Sequence, residues 1–526
     1  MPQETGAPQA RSMAATFRQH LPLLLILLIA TALRLQYLHA PLLDAHRWRQ
    51  VDTASIARTF YEGSINPLKP EANWGGAHGY VESEFPMLPM LAALLYRVFG
   101  PDEMWGRLIV ILFSVLAVAL TYVLERDLLD EPAALAAALL VAVSPGAVFY
   151  GRAFMPDSLM VCFSLAAILG FLRYFRGGHT SALAVGACSF AFAVLVKLPG
   201  VITIAPIVVA GWLAKRWRLL RDRRFLLALG LSGAVAAAWY VYAYAIYLET
   251  GLTFGIFGTT KTYPMTVGAG PWPTAFSKWS TIELLTDWQF YETMLSRLWV
   301  LHLTPPGFAL AAVGFLLWRR LPGRQIADSW LLAMLAFILG AGFGNMGHDY
   351  YQLPLVPICA LYFGAAARPV FDASWIREAL GPPRVWAPVI GVTIAALSML
   401  AFLHSGVIEH HFRPETPDIR MQQAGDAIND ATADDALLVV VDDYGVNSPM
   451  LLYFAHARGW SLDADTARPQ LVRGLVGQGA RYFATTRWWQ LIKRQPDLKL
   501  YLESCREVEL KGAPSNTALF DLTASR

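Results

Sequence analysis

Charge is scarce in this 526-residue chain: Asp, Glu, Lys and Arg make up 15% of it, while 56% is hydrophobic. Soluble domains carry about a quarter charged residues, so an ordinary soluble protein is excluded and a membrane class is indicated. The formal charge of +3 is small and sits in the loops, which gives nucleic-acid binding no support. Cysteine is scarce too. Of the four, Cys162, Cys188 and Cys359 lie in apolar runs and Cys505 stands alone in a polar tail, which leaves neither a disulfide framework nor a zinc ligand set. The signatures G-x-x-x-x-G-K-[ST], G-x-G-x-x-G and H-E-x-x-H are missing, so nucleotide hydrolysis, dinucleotide binding and zincin chemistry are unsupported. No solenoid repeat is present. The first apolar run lacks a clear small-residue cleavage site after it and is read as a retained helix.

What the chain does contain is a recurrence of apolar runs near the ~20 residues needed to cross a bilayer. They fall near 20–40, 105–125, 132–150, 157–175, 180–196, 199–214, 225–247, 303–318, 329–345, 353–368 and 386–404, which is about eleven spans. Basic residues gather after every second span: Arg126, then Arg173 and Arg176, then Lys215 to Arg224, then Arg319, Arg320 and Arg324, then Arg368, Arg377 and Arg384. The positive-inside rule makes those loops and the N-terminus cytoplasmic. Segments 41–104, 151–156, 248–302 and 346–352, Lys197 and everything after 404 then lie outside. In the first external loop, Thr53–Tyr61 and Leu88–Phe99 read as helices lying along the membrane surface. After Pro414 the composition turns soluble, with strand-like Leu437–Val441 and Tyr482–Ala484 between helix-like 417–430 and 449–458, the pattern of a small α/β domain. The expected fold is therefore mainly α: a transmembrane bundle over 1–404 and a soluble domain over 405–526.

The external segments hold most of the chemistry. They read Asp44-Ala-His46-Arg47-Trp48-Arg49-Gln50-Val-Asp52-Thr53, then His78-Gly-Tyr80-Val-Glu82-Ser-Glu84-Phe-Pro86, Gly151-Arg152-x4-Asp157, Lys197-Leu-Pro199-Gly200 and His348-Asp349-Tyr350-Tyr351-Gln352. Taken singly, each fits interfacial anchoring or helix capping: Pro156-Asp157 is a good helix start, and Lys197 can snorkel. Their concentration on one face favours a functional site, because charges near hydrocarbon are costly unless paired or used. Asp44, Asp157, Asp52 and Glu84 are candidate general bases. Arg47, Arg49, Arg152 and Lys197 are candidate phosphate partners, arginine being suited to bidentate contacts, and Tyr350 and Gln352 can hydrogen-bond a phosphate or sugar. His348 with Asp349 or Glu84 is a candidate divalent-metal set, although an interfacial His more often serves as a hydrogen-bonding group.

On these motifs the chain resembles the GT-C glycosyltransferases of the protein O-mannosyltransferase type, including the aminoarabinose transferases of lipid A, over roughly residues 15–370. The stretches from His46 to Thr53 and Gly79 to Pro86 look like a bacterial family-39 branch. One departure is that better-known members place an acidic residue, often Asp-Glu, just after the first span, where this chain offers Asp44 and Asp52 around a basic-aromatic stretch; Glu84 matches an acidic position before proline. The resemblance implies an inverting transferase that moves a sugar from undecaprenyl phosphate to a lipid-linked glycan, lipid A or a protein. It also implies a bacterial inner membrane, with the site and the C-terminus periplasmic. A transporter or flippase of lipid-linked glycans is the alternative from another class, and would show charges or broken helices near the midplane and often inverted repeats. A non-catalytic assembly subunit would show featureless external loops.

Overall fold

The computed structural model describes residues 7–257, 278–318, 323–371 and 408–525. The expected span 386–404 and the basic positions Arg319, Arg320, Arg377 and Arg384 lie outside those residues. The chain divides into two compact units, one of residues 1–38, 110–237 and 278–411, the other of 39–109, 238–277 and 412–526.

The first unit is helical. Its helices begin and end where local chemistry dictates. Asp130 caps Glu131–Val143 by accepting the Ala133 N–H at 3.1 Å, with Pro132 in the first turn, the residue types favoured at those positions. Asp157–Gly177 stops at Gly178, whose φ of +70° suits the left-handed close onto Tyr174. Helices Asp157–Gly177 and Thr180–Val196 touch through Gly170 and Gly186, where a Cβ on Gly170 would come within 2.7 Å of Gly186 backbone; such small residues allow close helix approach in a membrane.

Among the described residues, five helices are long and apolar enough to cross a bilayer: Glu103–Leu128, Asp157–Gly177, Leu198–Arg221, Arg223–Thr250 and Asp349–Arg368. Trp288–His302 and Thr304–Leu317, bent by 107° at their junction, count as a sixth if the pair is one span. Shorter apolar helices occupy His20–Arg34, Glu131–Val143 and Thr180–Val196. Among the described residues the expected spans fall on helices, but fewer than the expected eleven meet the length criterion by themselves. Breaks are the reason: Ser144 and Pro145 interrupt the run 132–150, ending one helix and starting the short Pro145–Tyr150.

The second unit combines two helices of the first loop with a sheet. Arg47–Glu62 and Met87–Phe99 pack through Ile56, Phe60 and Ala93. Val98 and Phe99 remain exposed. The sheet has six strands: β1 (Gly75–Gly76), β2 (Leu437–Val441), β3 (Arg458–Leu462), β4 (Ala480–Thr485), β5 (Cys505–Glu507) and β6 (Ala518–Ser525), in the order β1-β3-β2-β4-β6-β5. β2 is parallel to both β3 and β4, and the remaining pairings are antiparallel. Its buried core includes Val439, Val441, Leu462, Val472, Phe483 and Phe520. The expected strand at Tyr482–Ala484 is longer than read, and the expected helix 449–458 is cut to Met450–Phe454. His456 takes a φ of 51° and Arg458 enters β3.

Candidate active site

Each unit gathers one group of the expected site residues. In the first, Lys197 follows the last residue of the helix Thr180–Val196 in an extended conformation. Its Nζ lies 2.7 Å from Asp157 Oδ1, and both side chains are buried. Asp157 is the first residue of its helix, where the positive end of the helix dipole favours a carboxylate. The turn that holds Lys197 needs Gly200, since a Cβ there would overlap the Ala193 carbonyl.

Tyrosines complete the surroundings. The Lys197 ammonium is 4.4 Å from the Tyr350 ring centroid and 5.3 Å from that of Tyr351, a cation–π arrangement. Tyr150 donates its hydroxyl hydrogen to Asp349 and meets the Tyr350 ring edge-on at 5.9 Å. His411 Nε2 is 3.7 Å from the other Asp349 oxygen. Arg152 is buried and donates to the Tyr37 carbonyl at 2.8 Å, at the end of the first helix. Gln352 donates to the Asn345 carbonyl and side chain at 3.2 and 3.1 Å.

In the second unit, Asp44 is buried; it accepts from the Gln50 amide and faces the Arg107 guanidinium at 3.8 Å. Arg49 reaches Glu84 at 2.9 Å and Asp52 at 3.9 Å. Asp52 is fully buried and accepts from the Trp74 indole at 3.1 Å. Burial pushes its carboxyl up to about 8, against the lowering effect of Arg49 and Trp74. Glu82, also buried, accepts from the Thr253 hydroxyl and the Phe257 N–H, and burial raises it to about 7.

Residues 83–242 match the family model described as dolichyl-phosphate-mannose-protein mannosyltransferase. The fold is similar to that of ArnT from Cupriavidus metallidurans bound to undecaprenyl phosphate, with a TM-score of 0.62, 14% identity, and 95% of this chain and 97% of that one covered. The likeness to this structure is one of fold, and the family match is confined to residues 83–242. The archaeal oligosaccharyltransferase AglB from Archaeoglobus fulgidus, in complex with an inhibitory peptide and a dolichol-phosphate, is similar at a TM-score of 0.54 and 14% identity over 95% of this chain and 76% of that one. The mycobacterial arabinofuranosyltransferase AftD is similar at 0.55 and 15% identity over 96% of this chain and 40% of that one. No curated protein matches this chain by sequence.

Two groups of expected site residues have other partners within their own units. Arg47, read as a phosphate partner, is engaged by Asp418 at 2.8 Å and Glu415 at 3.2 Å. Of the expected metal ligands, the His348 ring packs on Tyr350 and Tyr351, Asp349 meets Tyr150 and His411, and Glu84 meets Arg49. Among the described residues no group of three or more His, Cys, Asp or Glu is arranged to hold a metal ion. Sequence reasoning missed Arg107 and Tyr150. Arg107 carried a signal, a cation within an apolar run, whereas Tyr150 looked like any interfacial aromatic.

Proposed function

We propose that this transferase moves a sugar from undecaprenyl phosphate to a lipid-linked glycan, lipid A or protein acceptor on the periplasmic face of a bacterial inner membrane, inverting the anomeric carbon. The observation that carries the reading is the buried Lys197 ammonium, paired with Asp157 and faced by Tyr350 and Tyr351. A cation in apolar surroundings attracts a phosphate far more strongly than one in water. The similarity to a transferase bound to undecaprenyl phosphate supports the same donor class. In this reading residues 1–404 carry the chemistry and 405–526 form the soluble segment.

The reaction needs little from the protein beyond positioning, charge and one base. An acceptor hydroxyl oxygen attacks the anomeric carbon, the bond from that carbon to the phosphate oxygen breaks, and the phosphate leaves with the electron pair. Lys197, with Arg152 as a further cation, offsets the charge that develops there. Asp44 takes the acceptor proton, its carboxylate oriented by Gln50 and Arg107. Asp52 is less suited, since a carboxyl raised to about 8 holds its own proton at neutral pH. Asp157 is committed to Lys197, and Glu84 to Arg49.

The test uses the purified full chain in lipid nanodiscs with radiolabelled undecaprenyl-phosphate sugars, a hexose and an aminopentose series. Release of undecaprenyl phosphate is expected from at least one donor, with Asp44→Asn abolishing release while still binding that donor. Failure to bind or consume any of them would overturn the reading. For the orientation, an enzyme reporter active only in the periplasm is expected to work when fused at the C-terminus and to be silent within 215–224; the reverse pattern rejects the side assigned.

A further inference from the structure

The second unit joins the first external loop to the C-terminal segment through a chain of polar contacts that the mechanism does not use. At its centre is Arg47, the first residue of the helix Arg47–Glu62. Its Nε lies 2.5 Å from the Tyr444 hydroxyl and 2.8 Å from Asp418 Oδ1, and its Nη2 lies 3.2 Å from Glu415. The Tyr444 hydroxyl in turn donates to Asp418 at 2.6 Å. Asp418 is buried and the Arg47 side chain is 19% exposed, so the bonds to Asp418 and Tyr444 are largely withdrawn from solvent, where charge-assisted pairs hold geometry best, whereas Glu415 is exposed.

Both ends of this chain of contacts are anchored. Tyr444 belongs to the loop leaving β2, and that loop is pinned by the buried Asp442, whose carboxylate accepts the N–H groups of Tyr444 and Gly445 at 2.8 and 3.1 Å and the Ser448 hydroxyl at 2.5 Å. At the other end, the Arg47 backbone N–H donates to the Asp44 carbonyl at 3.0 Å, across His46 with its left-handed φ of 55°. The side chain of Arg47 therefore fixes the helix start, and its backbone fixes the residue that bears the base. Further along the same helix, Arg58 donates to the Tyr453 carbonyl at 3.0 Å and lies over that ring, and Tyr453 donates to Glu103 at 2.5 Å. β1, from the first loop, pairs with β3 of the C-terminal segment.

We infer that Arg47 is a positioning residue through which the C-terminal segment, by Asp418 and Tyr444, sets the orientation of Asp44 during transfer. The segment is then part of the catalytic apparatus without touching the reacting atoms. Displacement of a base by about an ångström costs on the order of a hundredfold in rate, so a brace of this kind acts on turnover rather than on donor binding.

The inference rests on the transfer reading above, and its test separates the two. Arg47→Ala, Arg47→Lys, Asp418→Asn and the double variant Arg47→Ala/Asp418→Asn are made in the full chain, in nanodiscs. Turnover is expected to fall about 10- to 100-fold in Arg47→Ala, with KM for the undecaprenyl-phosphate sugar within about twofold. Arg47→Lys should recover part of it, because a lysine keeps the charge but not the planar fork. The double variant should be no worse than Arg47→Ala alone, as expected for two partners in one contact. Backbone hydrogen exchange over 44–50 should quicken in Arg47→Ala. Wild-type turnover in Arg47→Ala, a rise in donor KM without loss of turnover, or additive losses in the double variant would each overturn the inference. Should Arg47→Ala not fold, Arg47→Lys and Asp418→Asn carry the same comparison. A wild-type protein that transfers nothing removes the transfer reading instead, and the exchange measurement still decides whether Arg47 braces residues 44–50.

Discussion

The ammonium of Lys197 and the carboxylate of Asp157 are partners, 2.7 Å apart and both withdrawn from solvent. Two residues that sequence reasoning treats as separate contributors, one a phosphate partner and one a base, thereby act as one unit. Their coupling yields a prediction. Lys197→Gln strands a buried negative charge and should cost about 3–5 kcal/mol of stability. Lys197→Gln/Asp157→Asn removes both charges and should recover most of that loss, while donor affinity stays reduced because the cation is gone. Thermal unfolding midpoints and donor titrations on the three proteins check this. A double variant that binds donor as tightly as wild type would remove Lys197 from the phosphate site.

How much of this was legible beforehand follows from the range over which each signal acts. Apolar runs declare themselves locally, so Asp157–Gly177 and Thr180–Val196 agree with the hydropathy reading within a few residues. Helix starts at Asp130 and stops at Gly178 are also local chemistry. Partners are not. Arg47 and Arg49 lie two positions apart and look equivalent in sequence, yet one turns to Asp418 and the other to Glu84, a choice made by tertiary packing. Gly75 and Gly76 read as loop glycines until β3 supplies the strand that pairs with them. The ring contacts of His348 with Tyr350 and Tyr351 are likewise set by tertiary packing and not by sequence spacing.

Asp52 gives a pH dependence with a definite sign. Its carboxyl moves from an ordinary 3.8 to about 8 on burial, so the folded protein holds a proton that the unfolded chain has released across that window. Stability from this group is full below about 4, falls as pH rises, and is lost once pH passes about 8. Asp52→Asn keeps an acceptor for the Trp74 indole without the ionisation. It should be close to wild type in stability near pH 4 and should lose less than wild type between pH 4 and 8. Unfolding midpoints measured across pH 4–9 in the same detergent decide it: parallel wild-type and Asp52→Asn curves would mean that Asp52 is not the group responsible.

Gly200 offers a purely steric test of the turn that presents Lys197. A methyl group there would overlap the Ala193 carbonyl and approach the Val194 nitrogen at 3.0 Å, and that same carbonyl accepts the Lys197 N–H at 3.3 Å. Gly200→Ala must shift the turn, at a cost of about 1–3 kcal/mol for overpacking, and carries Lys197 with it. Donor affinity should fall about tenfold although no charged group has changed, about 1.4 kcal/mol in binding. Unaltered donor affinity in a folded Gly200→Ala protein would show that the position of Lys197 is not set by this turn.

Arg34 tests what holds the first helix against the bundle. It is the last residue of Ala7–Arg34 and is fully buried. Its Nε donates to Ser114 Oγ at 2.7 Å, Nη1 to the carbonyls of Ala30 and Ala142 at 3.0 and 2.8 Å, and Nη2 to those of Val141 and Ala147 at 3.2 and 3.1 Å. Val141 and Ala142 lie in the last turn of Glu131–Val143, where helix carbonyls have no partner within the helix. One planar fork thus satisfies acceptors from three helices and a hydroxyl, which three donors on a single ammonium nitrogen cannot match. Arg34→Lys should therefore be clearly destabilising despite its retained charge, because it leaves buried carbonyls unmatched at about 1–3 kcal/mol each. Ser114→Ala removes one contact only and should cost about 1 kcal/mol. If Arg34→Lys unfolds at the wild-type temperature in detergent and the two variants are indistinguishable, the guanidinium geometry is not what secures this helix end.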